Sequence, residues 1–243
     1  MKTKIIFLTS AFSSLLLISW IIGCSSSTTQ PSNTATVNFS GETDGSHAST
    51  PFWGKSPTIA SSGIRADSIE ITRVRFLISS VELHVEGNDT TKDGELKAGP
   101  FVAEFTPGLS RIFSTVTLPS GTYEKIKFEI HKFPTSIASI YLNDPVFTDF
   151  VTNDRSTVII EGKVWPTNIA VPVNFEYKSH ITASLEAKFP GSITINAGST
   201  NTLALIFSPV LAFKAAFVLD PRDPQNSNDI DNFLKTSIKA LKK

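Results

Sequence analysis

Glu82, His84 and Glu86 alternate with Val81, Leu83 and Val85 along one short run of the 243-residue chain. Alternate residues of an extended strand share a face, so this spacing stands two carboxylates and an imidazole in a row on the solvent side. Carboxylate and imidazole donors together suit a divalent cation such as copper or zinc. His131 lies on the polar face of a second alternating run and adds another imidazole if the two strands are neighbours. Glu82, His84 and His131 are therefore the candidate metal ligands. A half-buried strand also alternates polar and apolar residues for its own reasons, and that explanation covers the same residues without any metal.

A second oxygen-rich stretch holds Asp220, Asp223, Asn226, Asn228, Asp229 and Asp231. Calcium prefers such ligands, but the order Asp-Pro-Arg-Asp-Pro-Gln-Asn lacks the alternating acids and central glycine of an EF-hand loop. A proline-rich turn leading into a capped helix accounts for it instead. Trp53 and Trp165 each stand beside a breaker, Gly54 and Pro166, where a ring can stack on a sugar or pack at a loop edge. His47 and His180 fall in expected loops without a partner in sequence. The chain contains no Gly-x-Ser-x-Gly elbow, His-Glu-x-x-His helix, phosphate-binding loop or cysteine-histidine pair. No catalytic residue and no cofactor is assigned. The one enzymatic route left open is a glycosidase-like pair of carboxylates facing one cleft.

Charge narrows the partners. The 22 Lys and Arg balance 22 Asp and Glu, and a neutral domain has no clustered basic surface with which to grip nucleic acid. The 18 Phe against 3 Tyr, 3 Trp and a single Met point to a core of rigid aromatic and β-branched side chains, which favours sheet.

The first residues carry a different pattern. Lys2 and Lys4 precede an apolar run from Ile5 to Ile22, and Gly23 and Cys24 follow at once. Charged, then apolar, then small is the order of a secretory signal. Ile21-Ile22-Gly23-Cys24 resembles the bacterial lipobox, which implies cleavage after residue 23 and acylation of Cys24, the chain's single cysteine. The competing reading is an uncleaved signal anchor. Residues 24–36, rich in Ser and Thr, read as a flexible tether. Ser25 directly after the cysteine resembles the sorting rule for the outer membrane of two-membrane bacteria. The expectation is a lipid-anchored outer-membrane protein, non-enzymatic, whose partners are the membrane and an envelope protein or polysaccharide.

These residues have to be positioned by a domain expected over 37–243. Val37 and Phe39 open it, and Gly41 to Gly63 reads as a long loop. Ile69 to Val85 switches parity twice, which predicts a bulge or a bend between two strands. Further alternating runs cover Phe101 to Phe105, Ile112 to Leu118, Tyr123 to Phe133, Val158 to Val164, Val171 to Tyr177, Ile181 to Phe189 and Ile193 to Ile195. Phe133 to Arg155 reads as a loop and Lys178 to His180 as a hairpin tip. Leu203 to Leu219, with Pro209 inside it, predicts strand, break, strand. Ile230, Phe233, Leu234, Ile238 and Leu241 share a helical face, predicting one terminal helix capped by Ser227 or Asn228, with Lys239, Lys242 and Lys243 in its last turn. The sum is an all-β fold, an antiparallel β-sandwich with one C-terminal α-helix. The runs Ile71 to Leu83 and Thr117 to Phe128 resemble bacterial surface lipoproteins with immunoglobulin-like or transthyretin-like sandwiches. They are also similar to the MbnP-like periplasmic and surface proteins, some associated with copper, although no metal residue carries over.

Overall fold

A computed structural model describes residues 33–44, 52–53, 64–85, 95–152, 154–213 and 218–242. The expected signal, Cys24, His47 and Glu86 lie outside the described residues, as does the Trp53 side chain. The chain is all-β. Its first sheet runs β14 (Ile238–Lys242), β12 (Thr200–Phe207), β1 (Thr34–Thr43), β7 (Arg111–Pro119). Within it β1 and β12 are parallel, while β7 and β14 are antiparallel to their neighbours, as is every other strand pairing described. β1 begins at Thr34, inside the stretch expected as tether, because Thr34 to Thr36 pair with Pro119 to Thr117 of β7 and Thr36 pairs also with Thr200 of β12.

The opposing layer consists of two ladders. The upper one is ordered β10 (Val173–Ser179), β9 (Val158–Pro166), β3 (Arg65–Ile78), with β6 (Phe101–Phe105), β13 (Val218–Leu219) and β2 (Phe52–Trp53) also on β3. The lower one is β11 (Ala183–Ile195), β8 (Gly121–Ile130), β4 (Ser80–Val85), β5 (Glu95–Ala98). Their registers run on from one another. β6 meets β3 at Phe101 and Ile78, and β5 meets β4 at Ala98 and Val81. Likewise β9 meets β3 at Val158 and Phe76, and β8 meets β4 at Glu129 and Ser80. The layer is thus one four-stranded antiparallel sheet with a crease across every strand: Gly99-Pro100, Ser79, residues 131–157, and residues 180–182.

The crease explains three features. Ser79 absorbs the second of the two parity switches expected between Ile69 and Val85, its N–H and hydroxyl both donating to the Glu129 carbonyl at 2.8 and 2.9 Å, while the first is the irregularity between Ile71 and Arg73 in the pairing of β3 with β9. At Gly99, where φ is +136°, a Cβ would stand 2.8 Å from the Ser79 carbonyl, so no other residue fits without a shift. Lys178 to His180 is not a hairpin tip. β10 pairs with β9 and β11 with β8, so the chain passes straight through the crease from one ladder to the next.

One core lies between the two layers and includes Phe39, Phe76, Phe105, Phe128 and Phe207, all buried. Phe76, Phe105 and Phe207 meet with ring centroids 5.6 to 5.7 Å apart. The loop expected from Phe133 to Arg155 is instead a helical insertion: α1 (Thr135–Ala138), a 3-10 turn (Ser139–Tyr141) and α2 (Thr148–Val151). It carries a second core on the outer face, where Phe133, Phe150 and Val151 cover Leu77 and Ile159. Both cores belong to the compact unit Pro31–Lys243, which has the buried interior an independently folding domain requires.

The C-terminus departs from expectation. After β12 comes α3 (Pro209–Phe213), so the break at Pro209 is a short helix. α4 spans Ser227–Thr236 and stops there, and Ile238–Lys242 forms β14 against Leu203–Phe207. Ile230 and Leu234 are buried on the helix as expected, but Ile238 and Leu241 belong to the strand. The helix N-cap is Asn226 and makes no side-chain capping bond. Asp223, accepting from the Gln225 N–H, caps the preceding 3-10 turn Pro224–Asn226 instead. A free ladder on the edge of β12 outweighs helix propensity in the last five residues.

Candidate functional site

Glu82 and His84 share the outer face of the lower ladder, as alternation predicts, but not as solvent-exposed side chains: Glu82 is buried and His84 half-buried. Their neighbours are set by register. In backbone register Glu82 is paired with Lys127 on β8 and position 97 on β5, and His84 with Lys125 and position 95. The face is a charge ladder rather than a donor cluster. Glu82 Oε2 lies 3.4 Å from Lys127 Nζ, and Lys125 Nζ lies 3.7 Å from Glu186 Oε2 on β11. Lys127 also pairs with Glu129, which takes His131 Nε2 at 2.8 Å and the Ser184 hydroxyl at 3.1 Å.

Protonation follows from these contacts. Burial alone would raise the Glu129 carboxyl, but hydrogen bonds from Lys127, His131 and Ser184 outweigh it and hold the group below its ordinary value. Lys127 moves the other way, raised chiefly by its bond to Glu129 against the cost of desolvation. Both groups stay charged at neutral pH, each held by the other.

The structure does not bring Glu82, His84 and His131 together. His84 is opposite Lys125, and His131 lies six residues beyond Lys125, about 20 Å away at ~3.3 Å per residue. Among the described residues no three His, Cys, Asp or Glu side chains are grouped so as to hold a metal ion. The two strands are neighbours, as the metal reading required, but their antiparallel register sends the two imidazoles to opposite ends.

In the acidic stretch at 220–231, Asp220, Asp223 and Asn226 are committed to nearby hydrogen bonds. Arg222 holds buried Asp220 with two bonds, of 3.0 and 2.6 Å. Asp223 accepts from the backbone N–H groups of Ile64 and Gln225, and these bonds keep its carboxyl below the ordinary range. Asn226 donates to the carbonyls of Ile64 and Asp220. Turn and cap thus engage three of the residues named as possible calcium ligands, Asp220, Asp223 and Asn226. Trp165 is half-buried on β9 beside Ser68 of β3, and His180 is exposed at the crease.

Two polar clusters escaped the sequence reading. On the upper ladder Arg75, its side chain only 7% exposed, donates to Asp149 of α2 at 2.5 Å and to Glu161 of β9 at 3.2 Å. Its guanidinium carbon lies 5.7 Å over the Phe150 ring. Arg73 bonds Glu104 at 2.7 Å, and Arg111 reaches the other oxygen of the same carboxylate at 2.9 Å. The second cluster joins α4 to β10. Asp231 accepts from the Tyr177 hydroxyl at 2.7 Å and from the Ser179 hydroxyl at 2.6 Å. The alternation of Arg73 and Arg75 was visible in sequence, but the insertion that supplies Asp149 was not.

Two surface hollows among the described residues are small. One of about 270 Å³ is lined by Glu124, Lys125, Phe189, Gly191 and Ser192, and another of about 240 Å³ by Glu42, Thr43, Gly108, Leu109 and Ser110. Both fall below the ~300 Å³ at which small-molecule sites usually begin. Apolar side chains reach solvent chiefly on the insertion, at Ile140 and Val146, and around the β9–β10 connection, at Ile169 and Val171. Among the described residues no helix is long and apolar enough to cross a membrane. The chain was compared with family models, characterised proteins and solved structures, and none of them matches it.

Proposed function

We propose that the chain is a membrane-anchored extracytoplasmic lipoprotein that serves as a non-enzymatic binding or structural module of the cell envelope. The observation that carries this reading is the junction of two parts. The run ending Ile21-Ile22-Gly23-Cys24 is followed, ten residues after the cysteine, by the first strand of a sandwich with its own cores. A segment of about ten residues spans at most ~35 Å when extended. An acyl group on Cys24 would therefore hold the domain next to the bilayer while leaving it free to turn. The charges on the outer faces pair with each other instead of converging on a cleft, which supports a contact surface over a reaction centre.

Anchoring is tested in the native host by metabolic labelling with a clickable fatty acid, read beside membrane fractionation. The wild type takes up label and sediments with membranes. Cys24→Ser removes the only acyl acceptor and loses the label. A wild type that fractionates with membranes without taking up label would replace the lipid anchor by an uncleaved signal anchor. A catalytic reading is tested by incubating purified residues 31–243 with envelope glycans. Glycan hydrolysis would overturn the binding-module proposal.

A further inference from the structure

Sheet edges attract other strands, and proteins guard them with charges, prolines and bulges. In this sandwich the guards are unevenly distributed. β14 contains Lys239 and Lys242, β10 contains Glu176 and Lys178, β11 contains Glu186 and Lys188, and β5 and β6 contain Glu95, Lys97 and Glu104. β7 stands at the end of the first sheet, and among the described residues no strand pairs with its outer side. From Ile112 to Pro119 it carries no charge.

Two other guards bound the unprotected window. The register of β7 on β1 slips between Phe39 and Ser40, leaving Phe113 as an extra residue, so a bulge closes one end. Pro119, which has no N–H to donate, closes the other. Between them Ser114, Thr115, Val116, Thr117 and Leu118 keep an unbroken register with Phe39 to Ala35. Thr115 and Thr117 are exposed, and their β-branched side chains favour a strand.

This window is self-complementary. A two-fold axis at Val116 sets Val116 against its own copy and Thr115 against the copy's Thr117, with no like charges opposed. Facing threonines are a favourable cross-strand pair. Such pairing covers the open edge on both copies at once, so it closes instead of propagating. We propose that the outer edge of β7, Ser114 to Leu118, is a docking site for the same edge of a second copy, joining two four-stranded sheets into one of eight. This proposal stands whether or not Cys24 is acylated.

A five-residue strand pair buries less than the ~800 Å² per partner of a standard stable interface, so the association is weak. Sedimentation equilibrium on residues 31–243, from about 10 µM to about 1 mM, covers the range for so small a contact. The weight-average mass is expected to rise from monomer toward dimer. Thr115→Lys with Thr117→Lys sets lysine against lysine across the axis and is expected to hold the mass at monomer. Thr115→Glu with Thr117→Glu does the same, and mixing the two variants restores the dimer because each lysine then faces a glutamate. Both positions are exposed, and circular dichroism confirms that the variants fold. A wild type that stays monomeric throughout overturns the proposal. So does a lysine variant that associates like wild type, or a mixture that fails to recover.

Discussion

Replacing Arg75 by Leu should loosen the helical insertion more than it weakens the sandwich. The aliphatic part of the arginine is kept, so the loss is confined to the guanidinium. It gives up a 2.5 Å bond to Asp149, a 3.2 Å bond to Glu161 and the position 5.7 Å over the Phe150 ring. Removing one member of a fully buried pair costs about 3–5 kcal/mol because the other charge is stranded. Here the stranded carboxylates are 49% and 32% exposed and regain water, so that penalty is mostly absent. Each charge-assisted bond then contributes about 1 kcal/mol, and the ring contact about 0.5–1 kcal/mol. The expected loss is about 2.5–3 kcal/mol, or roughly 5–12 °C in Tm for a domain of this size. Urea melts of residues 31–243 read the total. Hydrogen exchange then reads its distribution, with protection falling first in 135–151. A double-mutant cycle with Asp149→Asn should show coupling of about 1 kcal/mol. A loss below about 0.5 kcal/mol with unchanged exchange in the insertion would refute the idea that Arg75 latches it.

Gly162→Ala should be more damaging than its size suggests. A Cβ there collides with the Glu70 carbonyl and comes within 2.9 Å of the Phe175 ring, a cost of about 1–3 kcal/mol that denaturant melts will show. An unchanged midpoint would mean that β3 and β9 can separate freely. Tyr177 governs the alkaline limit. Burial first, and then the Asp231 carboxylate, push its phenol far above the ordinary value of about 10. The folded chain keeps a proton that the unfolded chain releases above about pH 10. Stability is therefore full below that pH and falls at about 1.4 kcal/mol per unit as pH rises toward the folded value. Tyr177→Phe should be less stable at pH 7 by about 1–2 kcal/mol but should decline less steeply above pH 10. Parallel alkaline slopes would remove Tyr177 as the cause.

The strands were legible because alternation is a local signal, and Tyr123 to Ile130 shows how well it works. Ile126, Phe128 and Ile130 are buried, while Lys125, Lys127 and Glu129 on the opposite face are half-buried. The terminal helix was legible as far as Thr236, where periodicity and packing agree. Ile238 and Leu241 continue the helical spacing by coincidence, and only the edge of β12, distant in sequence, decides that they form a strand. The grouping expected of the three metal ligands is lost at the same level. Alternation correctly put Glu82 and His84 on one outer face, but the distance from His84 to His131 depends on strand register, which no single run of residues encodes.

The crease is where most of these misreadings meet. A hairpin expected at Lys178 to His180 and a loop expected from Phe133 to Arg155 both mark one row at which all four strands of a single sheet break. Read one strand at a time, each break looks like an ordinary turn. The inner face gives nothing away, because Ile78 and Val81, Ile130 and Val158 continue the same core across the break. The outer face does change, from the Arg75 ion pairs, to the apolar Leu77 and Ile159 under the insertion, to the Glu82–Lys127 ladder. The insertion is thus seated where the sheet's outer surface is apolar and needs a cover, and it enters between strands whose inner packing does not depend on it. Altering its exposed side chains, such as Ile140, changes what the domain presents without disturbing the core that holds the two layers together.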